Sequence, residues 1–239
     1  GNGTTTPTPP PTNINFNIIL GRPTDTSITA SVLFDQNAEM YLTYGTQSGV
    51  YTGTTPTVNI AGGSVEEIDM RTLLPNTKYY YQLRYRAPGG TTFTNSNEYT
   101  FQTQRTTGST FTFTVEADEH LYDIKGVKSM YNVTLNNEAA DKPDFMLSLG
   151  DIFGDDHTYL DTVRFPVRIT DAEVDSLHKD YRPILGRICH SIPFYVCLGN
   201  HEGENNFYLT KTFPNNLAIW GTKWRKFYYP NPKPNGFYT

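Results

Sequence analysis

The hydrophobic rhythm of this chain changes once, near residue 105, and that change limits the folds open to it. Between residues 15 and 104, short apolar or alternating runs recur at 16–20, 27–34, 39–44, 57–60, 66–70, 78–85 and 98–104. Gly21-Arg22-Pro23, Asp35-Gln36-Asn37, Gly62-Gly63 and Pro88-Gly89-Gly90 punctuate them. Period-two runs bounded by such turn signals read as strands. Seven short strands in one block predict a small two-layer β-sandwich over 13–105. Residues 104–109 (QRTTGS) read as a hinge, and residues 110–239 behave differently. The spacing predicts a strand over 110–115, a helix over 124–136 and a strand over 145–149. A helix over 170–188 and a strand over 193–198 complete the pattern. Thr170 with Glu173 three residues later is a capping-box signature for the second helix. Strands alternating with helices predict an α/β layer with a buried sheet. Residues 220–239 are aromatic, Pro-rich and basic, and no strand or helix is expected there.

Composition excludes several classes. Hydrophobic residues are 37%, charged residues 18% and aromatics 14%. That aromatic content opposes disorder of the whole chain, and Thr, Asn, Gly and Pro as polar filler favour strands and loops. A formal charge of -5 argues against binding nucleic acid through general phosphate attraction. Two cysteines are too few for a disulfide scaffold or a Cys-rich zinc module. No apolar run is long enough to span a bilayer. Residues 1–12 (GNGTTTPTPPPT) read as a flexible tail or as an O-glycosylated stalk.

The stretch Leu74-Pro75-Asn76-Thr77-Lys78-Tyr79-Tyr80-Tyr81-Gln82-Leu83 resembles the approach to the sixth strand of fibronectin type III domains. There a tyrosine, here Tyr79, closes a corner by hydrogen bonding to upstream backbone. Such a sandwich hosts many roles and assigns none.

Chemistry concentrates after the three apolar strands of the second part. Asp118-Glu119-His120 follows the first, Gly150-Asp151 the second, and Gly199-Asn200-His201-Glu202 the third. Ligands of open α/β sheets bind outside the carboxyl ends of the strands, so the three motifs converge on one edge. Carboxylate, imidazole and amide donors suit borderline or hard cations such as zinc, manganese or iron. One carboxylate has two oxygens and can bridge two ions.

These blocks, D-x-H, then G-D, then G-N-H-[DE], resemble those of the calcineurin-like metallophosphoesterases. The resemblance implies a dinuclear centre of two divalent or trivalent ions (Fe, Zn or Mn) that hydrolyses phosphate esters. It implies that Asp118 and His120 bind the first ion, that Asp151 bridges, and that Asn200 binds the second. It implies that His201 holds the phosphate and helps protonate the leaving oxygen. A sandwich ahead of such a domain also resembles the purple acid phosphatases and related secreted enzymes. Gly154 stands where that purple group has its ligand tyrosine, which implies a relative that is not purple. The family's fourth block, a lone histidine, and its fifth, G-H-x-H, have no counterpart, since no histidine follows His201. The fold expected is therefore a β-sandwich followed by a partial α/β metallophosphoesterase sandwich. The chain then reads as a piece of a longer or processed protein, with a C-terminal fragment completing the domain. The competing reading is a non-catalytic surface or assembly protein built on the same fold.

Other residues carry paired readings. Asp155, Asp156 and His157 are candidates for contacts near the metals, or form a solvated loop. Asp123 assists the first ion or caps a helix, and Glu202 supports the third block by hydrogen bonding. His178 and His190 are expected to pack in or near a helix. Cys189 and Cys197, eight residues apart, are bridged or are free thiols. Asn2-Gly3-Thr4 and Asn132-Val133-Thr134 match the N-glycosylation acceptor pattern. Together with the low charge, these features suggest an extracytoplasmic protein.

Overall fold

The structure, a computed structural model, describes residues 14–121, 126–152, 170–202 and 217–233. Nine strands come first: β1 Phe16–Gly21, β2 Ser27–Phe34, β3 Ala38–Gly45, β4 Gly53–Thr54, β5 Val58–Ile60, β6 Val65–Arg71, β7 Lys78–Arg86, β8 Thr94–Asn95 and β9 Tyr99–Gln102. Then follow β10 Phe113–Glu116, α1 Lys128–Ala140, β11 Phe145–Ser148, α2 Asp171–Cys189, β12 Phe194–Val196 and α3 Leu217–Tyr228.

β1, β2 and β6 form one antiparallel sheet, and the other six of the nine strands form a second around β3 and β7. Alternation sets the core. Ile18, Leu20, Ala30, Val32 and Phe34 of the first sheet meet Met40, Leu42, Tyr79, Tyr81 and Leu83 of the second. Each of the Val, Leu, Ile, Phe and Met side chains among them contributes about 1.5–3 kcal/mol on leaving water. The expected tyrosine corner is formed: the Leu74 amide donates to the Tyr79 hydroxyl at 2.8 Å. The sequence reading missed β4 and β8, which are two residues each.

β10, β11 and β12 form a parallel sheet in chain order, with Val115 opposite Leu147 and Leu147 opposite Tyr195. Crossovers between adjacent parallel strands share one hand, so a sheet laid down in sequence order receives both helices on the same face. Met146, Phe194 and Val196 accordingly pack with Leu135 of α1 and Val174, Tyr181 and Leu185 of α2. Thr170 opens α2 with the predicted capping box.

Two expectations need correction. The first helix is not 124–136 but Lys128–Ala140. Its first residue follows Val127, whose side chain makes no capping bond, so nothing polar marks the start. The helix also runs past Asn136, with Glu138 buried in its last turn. The segment after Trp220 is also not irregular throughout, because α3 runs to Tyr228. Its aromatic residues are weak helix formers, and α3 is held by packing on α2.

The two parts share a wall. Ile19 and Leu33, on the outer face of the first sheet, join the core of the α/β layer. This explains why every residue of β2 after Ser27 is buried: its sheet is covered on both sides. Arg182 of α2 spans the junction with no exposed surface. It donates to Asn17 Oδ1 at 2.5 Å, to the Ser31 carbonyl at 2.5 Å and to the Tyr228 carbonyl. Burial lowers its pKa to about 10, so it remains a cation at neutral pH. Tyr81 adds a hydroxyl bond to the His190 carbonyl at 2.5 Å. Among the described residues no helix is long and apolar enough to cross a membrane.

Candidate metal centre

The three strand ends are sewn together by backbone bonds beyond the sheet itself. The amide of Asp118 donates to the Gly150 carbonyl at 3.1 Å, and that of His120 to the Asp151 carbonyl at 3.2 Å. The His201 amide donates to Asp151 Oδ1 at 2.7 Å. The loops approach so closely that only glycine fits where they cross. A Cβ on Gly150 would overlap the Gly199 amide nitrogen, and a Cβ on Gly199 would overlap Asp151. Gly150 also has φ of +94°, the region that favours glycine.

Three non-glycine residues here sit in the same left-handed region: Asp118 at φ 63°, His120 at 44° and Asp151 at 57°. Asp and His tolerate it better than bulky residues, at roughly 1–3 kcal/mol each. Such strain persists where the surroundings over-determine it, and here three loops do.

The arrangement brings His120, Asp151 and His201 together, with one potential donor atom from each within 4.8 Å of the others. The two imidazole rings lie edge to face at 4.6 Å between centroids. Two nitrogens and a carboxylate oxygen are a donor set that fits a borderline divalent cation such as zinc, iron or manganese. Asp118 flanks this trio, its Oδ1 3.7 Å from His120 Nε2, with its side chain largely exposed. Asn200 lies half-buried in the turn between Gly199 and His201. Asp123, Gly154, Asp155, Asp156 and His157 lie outside the described residues.

Glu202 turns away from the trio and binds backbone. Its carboxylate accepts the amides of Asp151 at 3.0 Å, Ile152 at 2.7 Å and Gly199 at 2.6 Å. Burial raises its pKa, and those three amide bonds oppose the rise. One buried carboxylate thus fixes both glycine loops, where the sequence suggested only a hydrogen bond supporting the third block.

Sequence reasoning passed over Glu116 and Glu119 as residues in their own right. Both lie beneath the strand ends, where burial pushes their carboxyls up, and Tyr131 donates to Glu116 at 2.8 Å. Both carboxylate oxygens of Glu119 are buried, although its neighbour Asp118 is largely exposed. The available signal was an acidic residue closing an otherwise apolar strand.

The remaining candidates fall where expected. His178 is buried against Tyr228 and Tyr229, and His190 stacks on Tyr99 at the end of α2. Cys189 and Cys197 are both free thiols.

Comparison with known proteins agrees with this geometry. One structural match that covers most of the chain is "Structure of PhoD", with TM-score 0.59 and 16% identity, over 92% of this chain and 47% of that one. The chain thus spans about half the length of that protein, and at such identity the likeness concerns the fold alone. Sandwich-sized matches include the sensor domain of the anti-sigma factor RsgI4 of Pseudobacteroides cellulosolvens, at TM-score 0.31 and 16% identity over 38% of this chain and 95% of that one. The FN5 domain of Drosophila Lar matches at TM-score 0.26 and 16% identity over 37% of this chain and 91% of that one. Neither of these two carries an argument. No curated protein matches the chain. The calcineurin-like phosphoesterase family matches residues 111–236, more than half of the chain, across all three motifs. The chain belongs to the calcineurin-like phosphoesterase family.

Proposed function

We propose that this protein forms the metal-binding half of a phosphate-ester hydrolase with a dinuclear centre. The observation that carries the reading is the convergence of His120, Asp151 and His201 at the ends of three parallel strands. In this reading Asp118 and His120 would hold one ion and Asn200 the second, with Asp151 a shared ligand. Bound ions of this kind polarise a phosphoryl oxygen and lower the pKa of a coordinated water. The protein's own contribution is preorganisation. The His201 amide fixes one Asp151 oxygen, Glu202 fixes the loops on either side, and the Gly150–Gly199 crossing sets their separation. His201 is assigned to holding the phosphate and delivering a proton to the leaving oxygen.

Further ligands come, in this reading, from polypeptide outside residues 1–239, because no histidine follows His201. Gly154 in place of a ligand tyrosine supports a relative of the purple acid phosphatases that lacks the purple chromophore. The Tyr79 corner supports a fibronectin III-like sandwich, and the Thr/Pro-rich residues 1–12 support an extracytoplasmic location.

The test is hydrolysis of an aryl phosphate by the longest product of the reading frame, before and after chelation. Turnover is expected to need added Zn, Mn or Fe. Asp151→Ala and His201→Ala are each expected to lower it by about 10²-fold or more. Unchanged turnover in both variants overturns the assignment.

A further inference from the structure

The sandwich and the α/β layer also meet at the end of the sheet away from the metal ligands. There the start of β7, strand β9 and the hinge face the carboxyl ends of α1 and α2. Between them lies a cleft of about 410 Å³, within the roughly 300–1,000 Å³ of small-molecule sites. Phe101, Ile188 and Ile192 give it a buried apolar lining. The Thr100 amide closes the junction by donating to Ser191 Oγ at 3.2 Å.

The rim of this cleft is cationic. Lys78 of β7, Arg105 of the hinge, Lys142 after α1 and Arg187 in the last turn of α2 all line it, and all are exposed. Among the described residues Asp144 is the one carboxylate in the lining, and Arg105 already holds it at 2.9 Å. A chain with a charge of -5 thus gathers cations here against its overall balance. It also leaves them without counter-charge. Elsewhere basic side chains are paired: Arg22 with Glu67, Arg86 with Glu39, Lys179 with Asp175 and Lys223 with Asp171. Among the described residues Lys78, Lys142 and Arg187 form no salt bridge. Lys78 lies over the Tyr80 ring at 5.0 Å, and Arg187 reaches Asn136 Oδ1 at 3.4 Å.

Helix dipoles account for part of this. Lys142 and Arg187 stand at the carboxyl ends of α1 and α2, where cations are favourable. Lys78 and Arg105 stand at no helix end, yet reach the same cleft from the sandwich side. Lys142 also keeps φ of +51° just past the cap of α1, where glycine is the usual residue. The side chain is held there against the backbone preference. Like charges drawn from both parts onto a concave junction with an apolar lining focus their field on it.

We propose that this cleft binds a small polyvalent oxyanion, bearing phosphate or sulfate groups, that bridges the sandwich and the α/β layer. Guanidinium forks suit the paired oxygens of such groups, and the lysines supply point charge from opposite walls. The cleft lies at the amino ends of β11 and β12, whereas His120, Asp151 and His201 lie beyond carboxyl ends of strands. The site is therefore separate from the candidate centre and does not depend on its activity.

Calorimetric titration with inorganic pyrophosphate, at fixed ionic strength and without added metal, tests this on the longest product of the reading frame. A dissociation constant below about 1 mM is expected. Lys78→Gln and Lys142→Gln, one on each wall and both exposed, are each expected to weaken binding by about fivefold or more. Lys223→Gln on α3 and His201→Ala are expected to leave it unchanged. No binding, or wild-type affinity in either cleft variant, overturns the proposal. So does an equal loss in Lys223→Gln, which makes the effect one of overall charge. Loss in His201→Ala with both cleft variants unaffected also overturns it and assigns the anion to the candidate centre. Inorganic sulfate is titrated in parallel. Equal affinity supports recognition of any polyvalent oxyanion, and preference for pyrophosphate supports a phosphate-bearing ligand.

Discussion

The sandwich and the α/β layer solve the same problem differently. The sandwich has two sheets that face each other, so each covers the apolar side of the other. Among the described residues the α/β layer has one sheet and three helices, with α1 and α2 on one face of the sheet and α3 packed on α2. The first arrangement buries its own inner faces and carries no candidate metal chemistry. Among the described residues the second leaves Phe113, Val115 and Leu149 exposed on one face, and it carries all of it. Strand ends that must converge on a ligand need loops free of covering layers, and the site's chemistry is built where packing stops.

Four measurements separate the two regions. Gly199→Ala has the largest expected effect, because its Cβ would overlap both the carboxylate and the amide nitrogen of Asp151, which are held by Glu202 and the His201 amide. A loss above about 4 kcal/mol is expected, confined to the α/β layer. Limited proteolysis should then release an intact sandwich; a wild-type digestion pattern would break the comparison.

Arg182→Met removes the cation that ties α2 to both Asn17 and Ser31. The acceptors left behind cost about 3 kcal/mol, partly offset by relief of a buried charge. Calorimetry should show one transition split into two, sandwich and layer. A single shifted transition would mean that the Ile19 and Leu33 contacts suffice for coupling.

His178 makes the α/β layer acid-sensitive. Burial, with the Arg225 charge, lowers its pKa to about 3 from the ordinary 6.5. The folded layer then refuses a proton that the unfolded chain takes. The corresponding stability is intact above pH 6.5 and is lost as pH falls toward 3, at about 1.4 kcal/mol per pH unit. Glu116 and Glu119 act in the opposite sense, since raised carboxyl pKa values favour the folded state below pH 4.5 and lose that benefit as pH rises. The urea midpoint of His178→Asn against wild type isolates the histidine: the gap should change between pH 7 and pH 4.5. A constant gap would refute the burial argument.

Tyr79→Phe should have the smallest effect. It deletes one corner bond to the Leu74 amide, worth about 1 kcal/mol, in the sandwich alone. With Arg182→Met as background, only the sandwich transition should move.

Particular residues show what was readable in the chain. Thr170 and Glu173 announced α2 because a cap is local chemistry within three residues. Tyr79 announced its corner for the same reason. The first helix was misplaced because Val127 offers no cap, and α3 was missed because its stability comes from α2. The site followed the same division. Asp118, His120, Asp151, Asn200, His201 and Glu202 were all marked by their places after apolar strands. That Glu202 would clamp two loops, and that His201 would join His120 and Asp151 in one trio, depended on the distance between strands far apart in sequence.

The sequence by itself determined the two-part architecture, the strand ends that bear chemistry and the donor types placed there. These follow from hydrophobic period and residue identity, which act over a few residues. Only the tertiary structure decided that α2 closes the back of β2, that Arg182 binds the two parts, and that glycine alone fits the crossing of two loops. Those outcomes arise from close packing and crossover handedness, which couple residues the chain keeps far apart.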